Sequence, residues 1–188
     1  FSVLILDSDG HVLASEETGS EMYFSAGVDG AGTYFASVAA DNYYDDGGQY
    51  TLAAEATSGS TAGIETEGND SLSTADSIST AFPSTGQLSS SSDIDYFALE
   101  ATGAGTLEVT FGSPTSSYTD YFSVSILDSD GNVLASQETG SDINFSAGVD
   151  GAGTYYATVA ADNYYYDGGQ YTLAAEATSG STAGIETE

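Results

Sequence analysis

Apolar and polar side chains alternate with a period of two along most of the chain. Phe122, Val124 and Ile126 share one face of an extended segment, and Leu107, Val109 and Phe111 alternate with Glu108 and Thr110. Tyr155, Ala157 and Val159 alternate with Tyr156, Thr158 and Ala160. The same holds for Tyr171, Leu173, Ala175 and Ala177 against Thr172, Ala174 and Glu176. This period belongs to strands that bury one face and wet the other. Turn chemistry separates them: Asp128-Ser-Asp-Gly131 and Asp150-Gly-Ala-Gly153 read as hairpin turns, and Asn163 to Gly169 as a longer acidic, tyrosine-rich loop. The pattern predicts strands near 84–89, 95–100, 106–112, 121–128, 132–136, 143–146, 153–161 and 170–178. Such spacing points to an all-β, antiparallel β-sandwich of jelly-roll type. The one helical candidate is Ser71–Ile78, with Ala75 and Ile78 on one side.

The pattern recurs. Residues 1–67 return as 122–188 at a constant offset of 121, without insertion or deletion, and only nine positions differ, among them Leu4/Ser125, His11/Asn132, Glu16/Gln137 and Asp45/Tyr166. An offset of this size is one ordinary domain, so the chain reads as a tandem array. The expected organisation is the rear part of one repeat with its linker (1–63), a complete repeat with its linker (64–184) and the start of the next (185–188). The small-residue stretches Thr57–Gly63 and Thr178–Gly184 read as flexible linkers. The front copy has no counterpart of 68–121 and cannot close the same fold alone. The simpler expectation is that the polypeptide continues upstream of Phe1; strands from a neighbouring chain are the alternative.

Composition narrows the partners. The chain has no lysine or arginine against 29 acidic residues, a formal net charge of −29. Nucleic acid is excluded as a partner, because phosphate binding needs basic side chains, and anionic membranes are repelled. Such a field recruits cations and suits high salt or millimolar divalent ions. There is no cysteine, so no disulfide staples the fold, and without lysine no isopeptide cross-link forms. The longest apolar runs, such as Val3–Leu6, are too short to span a bilayer.

Chemistry concentrates after the linker. Glu65, Glu67, Asn69 and Asp70 place four oxygen-bearing side chains within six residues. In an extended segment the first three point the same way. Asp93 and Asp95, at the start of a predicted strand, share a face and are able to complete an oxygen shell for a hard cation such as Ca²⁺. A solvated acidic linker explains these residues equally well on composition alone.

The run Glu67-Gly-Asn-Asp-Ser71, then Ala75 and Ile78, Gly86-Gln-Leu-Ser89 and Asp93-Ile-Asp-Tyr-Phe97 resembles the bacterial pre-peptidase C-terminal domain. Val124–Leu134 around the Asp-Gly turn, Ala152-Gly-Thr-Tyr-Tyr156 and Gly169-Gln-Tyr-Thr-Leu173 extend the resemblance over the whole repeat. It implies a secreted jelly-roll sandwich, commonly appended to extracellular peptidases. It is also similar to collagenase collagen-binding domains, which hold calcium where linker meets sandwich. Carried over, the resemblance implies Ca²⁺ ligation by Glu65, Glu67, Asn69 and Asp70, with Asp93 and Asp95 on the strand side. Glu186 and Glu188 would serve a following domain in the same way.

Other features carry less. Asp7/Asp9 and Asp128/Asp130 read as turn chemistry, with no glutamate placed to complete an EF-hand. His11 is replaced by Asn132 in the other copy and reads as an exposed turn residue. The loops 41–48 and 162–169 are weak candidates for a second ion. Tyr43, Tyr44, Tyr164, Tyr165 and Tyr166 are candidates for contact with a neighbouring domain. Asn69-Asp-Ser71 and Asn144-Phe-Ser146 match glycosylation acceptors. The complete unit has no histidine and hence no Ser-His-Asp triad, and no enzyme activity is expected. The leading expectation is an extracellular or cell-surface structural protein. Its calcium-stiffened repeats would associate head-to-tail, and possibly laterally, as a fibre, stalk or adhesin shaft. The alternatives are a module binding collagen, polysaccharide or cell wall, and an accessory domain of a secreted peptidase.

Overall fold

A computed structural model describes residues 1–28, 30–40, 48–57, 63–78, 83–113, 122–162 and 170–180. Among these the chain is all-β. The front part holds β1 (Ser2–Leu6), β2 (Val12–Glu17) and β3 (Phe35–Ala39). The rear part holds β4 (Asp76–Ser77), β5 (Ser84–Gln87), β6 (Ile94–Ala101), β7 (Gly105–Gly112), β8 (Phe122–Leu127), β9 (Val133–Thr139), β10 (Ile143–Val149), β11 (Gly153–Ala161) and β12 (Gln170–Ser179).

The rear strands form two sheets, in the orders β10-β7-β12-β5 and β4-β6-β11-β8-β9. All pairings are antiparallel except β4 with β6 and an isolated parallel bridge between Ile64 and Thr85. One face of each sheet is apolar, and the two faces close over a common core. From the first sheet come Leu107, Val109 and Phe111 of β7 with Tyr171, Leu173 and Ala175 of β12; from the second come Phe97, Leu99, Phe122, Val124, Ile126, Ala157 and Val159. The alternation along β7 and β12 is therefore the sandwich's inside–outside rule. All eight strands expected from the period of two are present, β9 and β10 running three residues further than expected. Phe111 lies at the aromatic centre, its ring 5.0 Å from that of Phe122 and 5.7 Å from that of Tyr171. The Tyr171 ring takes the space beside Gly86: a Cβ there would stand 2.3 Å from it, so β5 reaches β12 only with glycine at that position.

The expected helical stretch 71–78 is not a helix. The Thr74 amide donates to the Ser71 carbonyl at 3.1 Å in a single turn, steadied by Ser71 Oγ and Thr74 Oγ1 at 2.9 Å. The chain then extends, and the Ile78 amide donates to Ala98 O at 3.0 Å, beside β6. Serines and threonines that bond their own backbone favour turns, and the free edge of β6 offers Ile78 a core position that a short helix would not.

In the front part, β1 lies between β2 and β3 in a three-stranded sheet. Its registers repeat those of β8 with β9 and β11, including the irregularity after Ile5, matched after Ile126. The Asp-x-Asp-Gly turns are alike as well. Asp128 Oδ1 accepts from the amides of Asp130 and Asn132, both at 2.9 Å, and its Oδ2 from Asn132 Nδ2 at 2.8 Å. Asp7 Oδ1 accepts from Asp9 and His11 amides at 2.8 and 2.9 Å, with His11 Nδ1 2.8 Å from Oδ2.

Candidate metal centre

The segment entering the rear sandwich is pinned along the edge of β5. Thr85 donates its amide to Gly63 O, and Glu65 donates to Thr85 O, both at 2.9 Å. This short parallel bridge points the Glu65 side chain inward, where it is 4% exposed. Its Oε2 accepts from the Gln87 amide at 3.4 Å. Gly68, at φ 99°, turns the chain in the left-handed region, and the Asn69 carbonyl then accepts from the Tyr96 amide at 3.0 Å. Asn69 thus lies buried against the start of β6, whose inward-facing residues include Asp95, with Asp93 just before the strand.

The structure brings Glu65, Glu67, Asn69, Asp70, Asp93 and Asp95 into one neighbourhood. Asp70 remains exposed but its carboxyl reaches Asp93, and the charges of Asp93, Asp95 and Asp70 all act on Glu67. Burial is the main cause of the high proton affinity here. It pushes Glu67 up to about 9, helped by those three carboxylates. Glu65 also rises to about 9, through burial and then the charge of Glu67. Asp95 rises to about 9, through burial and then the charge of Glu65, opposed by a hydrogen bond from Tyr171. Burial raises Asp93 too, opposed by hydrogen bonds from Ser89, whose amide donates to Asp93 Oδ2 at 2.5 Å. Four carboxylates held together without a lysine or arginine anywhere in the sequence is a costly arrangement unless a cation joins them.

The unpaired atoms define what fits. Glu65 Oε1, Glu67 Oε1, Asn69 Oδ1, Gln87 Oε1 and Asp95 Oδ1 are buried with no hydrogen-bond partner, as is Asn69 Nδ2. Buried acceptors are rarely left this way, and an all-oxygen set is what Ca²⁺ takes. The carboxylates do not yet form a closed shell. Among the described residues, the trio of carboxylate and imidazole ligand atoms mutually within 4.8 Å is Asp7, Asp9 and His11, on the exposed front turn. The Asp7 carboxylate and His11 Nδ1 are already engaged in holding that turn.

Three contributors were not among the expected site residues. Gln87 presents an orphaned carbonyl oxygen, and Asp76 accepts from the Thr66 amide at 2.6 Å, fixing the backbone between the two glutamates. Tyr171 donates its hydroxyl to Asp95 Oδ2 at 2.5 Å. Period-two alternation had placed Tyr171 on the core face, and a buried phenol needs a partner, so the signal was present without naming Asp95. Glu186, Glu188, the tyrosines 43, 44 and 164–166, and nearly all of the loops 41–48 and 162–169 lie outside the described residues. Asn144 is on the outer face of β10, its Nδ2 donating to Glu108 Oε1 at 2.7 Å.

No protein family matches the sequence, and no curated protein matches it. Among solved structures the chain is similar to the pre-peptidase C-terminal domain of a collagenase from Bacillus anthracis. Identity is 19% and the TM-score 0.44, over 54% of this chain and 94% of that one. The all-β sandwich is established by the strand pairing itself, independently of that likeness.

Proposed function

We propose that residues 64–180 form a non-catalytic, calcium-binding β-sandwich of an extracellular repeat protein, and that the ion braces the junction with the preceding unit. The observation that carries this reading is the set of five orphaned, buried oxygens, in a chain with no lysine or arginine to neutralise them. Glu65, Glu67, Asn69, Asp70, Asp93 and Asp95 would hold the ion, with Gln87 as a further oxygen donor. The ion would supply positive charge that replaces protons on the buried carboxylates. Glu65 and Glu67 belong to the repeated segment, so their sequence copies Glu186 and Glu188 are assigned the same role toward a following unit. A calcium-stiffened, head-to-tail fibre, stalk or adhesin shaft follows from that arrangement.

Calorimetric titration of the chelator-treated chain with Ca²⁺ tests the site. One saturable site per chain, lost in Asp95→Asn and Glu67→Gln variants, is expected; absence of binding at millimolar calcium refutes it. The motif resemblance supports a second reading, a module that grips collagen, polysaccharide or cell wall, or that accompanies a secreted peptidase. Co-sedimentation with such polymers separates the two, since a shaft has no affinity for them.

A further inference from the structure

The front part of the chain meets the rear sandwich beside the candidate metal centre. β2 is an edge strand of its sheet and β5 an edge strand of another, and a side chain joins them. Gln87 of β5 donates its Nε2 to the Ser15 carbonyl of β2. Gln170, the cross-strand partner of Gln87 on β12, gives its amide to the Glu16 carboxyl. Gly27 makes the third contact. A Cβ on it would stand 2.0 Å from the Glu65 carbonyl oxygen and 3.3 Å from Ile64 Cγ2, so the backbones approach this closely only with glycine there. Next to that contact lies a cavity of about 270 Å³, lined by Leu13, Val28 and Tyr34 from the front part and by Thr66 and Glu67 from the rear. Each contact thus falls on a residue of the centre or on its neighbour.

Both sides converge on Gln87. It is 2% exposed, its main-chain amide donates to Glu65 Oε2 at 3.4 Å, and its Oε1 is buried without a partner. A carboxamide is planar, with its donors on nitrogen and its acceptor lone pairs on oxygen. Once the nitrogen is bound to Ser15, the oxygen is committed to the other side of the group. We infer that the front part is a working piece of the ion site: Ser15 holds the Gln87 carboxamide with its oxygen free for a cation, and Gly27 lets the two parts close far enough for that bond. This assignment rests on the calcium reading above and adds the residue that couples the ion to the neighbouring unit. With Ser15 withdrawn, Gln87 is free to turn its NH₂ toward the carboxylates, donate to them and so oppose the ion. Docking and calcium binding then favour each other by one and the same factor, because linkage is reciprocal. Gln87 is in this respect a positioning residue as well as a ligand, and Gly27 supplies no ligand atom at all.

The test is calorimetric titration of the full chain with Ca²⁺, beside small-angle scattering of the same chain in chelator. Gly27→Ala keeps every oxygen donor but forces the Glu65 carbonyl away, and Gly27 lies outside β1, β2 and β3, so their pairing is untouched. The variant is expected to weaken calcium binding by about 10-fold and to enlarge the radius of gyration. Gly19→Ala, whose Cβ would meet nothing within 4 Å, is expected to change neither. Gln87→Met, close in shape but without the carboxamide, is expected to weaken binding at least as much as Gly27→Ala. Adding Gly27→Ala to Gln87→Met is expected to move the affinity by less than about twofold, because both changes cut one link. Wild-type affinity in Gly27→Ala overturns the inference, and so does full additivity of the two variants. Absence of calcium binding by the unsubstituted chain refutes the metal reading instead. Scattering then still decides the docking, which an equal radius of gyration in Gly27→Ala and the unsubstituted chain would overturn.

Discussion

Tyr50-Thr-Leu-Ala-Ala-Glu-Ala-Thr57 and Tyr171-Thr-Leu-Ala-Ala-Glu-Ala-Thr178 are the same eight residues, yet the second lies within a ten-residue strand and the first forms none. Local propensity is identical, so the difference is tertiary. In the rear half β7 satisfies the backbone on one side of β12 and β5 satisfies part of the other, while the opposite sheet covers the apolar face. Neither is available in front. A period-two pattern is thus permission to form a strand, and a neighbour is the cause. By contrast β1, β2 and β3 persist in both contexts because their partners lie within the repeated segment itself.

Paired substitutions test this contrast most strongly. Leu173→Ala is expected to destabilise the rear sandwich by about 2–5 kcal/mol, as for a fully buried leucine. Leu52→Ala, at the equivalent exposed position, is expected to stay within about 0.5 kcal/mol. Urea unfolding of the two variants measures both, and equal losses would mean that the front copy is packed like the rear one.

The ion is the next largest effect. With an affinity of about 10⁻⁴ M, calcium at a hundredfold excess adds roughly 2.7 kcal/mol to the rear unit. The front half, which holds none of the oxygens in question, gains nothing directly. The sign of the pH dependence follows from the same groups. Glu65, Glu67 and Asp95 rise to about 9 in the folded chain. Unfolded, they return to the ordinary carboxylate range near 4. Their contribution is therefore fully present below that range and is lost as pH rises toward 9. In chelator the melting temperature should fall between about pH 5 and pH 9. With calcium bound the carboxylates are ionised in both states, and the curve should flatten over that window. Thermal melts in the two conditions decide it, and parallel curves would remove calcium from the account.

Tyr171→Phe comes third. It leaves ring packing in place but strips Asp95 of its hydroxyl donor, an expected loss of about 1–3 kcal/mol. Tyr50→Phe should be silent. Smallest of all is His11→Asn. Asn132 already shows that an asparagine amide holds the same aspartate turn, so differential scanning calorimetry should register no change.

Much of the fold was legible in the sequence because burial in a sandwich imprints directly on alternate residues. Leu107, Val109, Phe111, Tyr171 and Leu173 follow that rule, and the strands they mark are present. The stretch 71–78 was not legible: Ala75 and Ile78 have helical spacing, but the serines and threonines between them bond locally and the edge of β6 draws Ile78 into a strand-like course. At the candidate site, the acidic run and its extended geometry were readable from residue types. Gln87 and Tyr171 were not, because their links join residues far apart in sequence: Gln87 meets Glu65 through the bridge of residues 63–65 to β5, and Tyr171 of β12 meets Asp95 of β6 across the two sheets.

The sequence by itself determined the strand period, the turn positions, the copying of one segment into two places and the excess of negative charge, since each is written in the order and type of neighbouring residues. Only the tertiary structure decided how the strands order into two sheets and which carboxylates are buried together. Both depend on β5, β6 and β7 lying against strands that come much later in the chain, and no local pattern encodes whether such a partner is present.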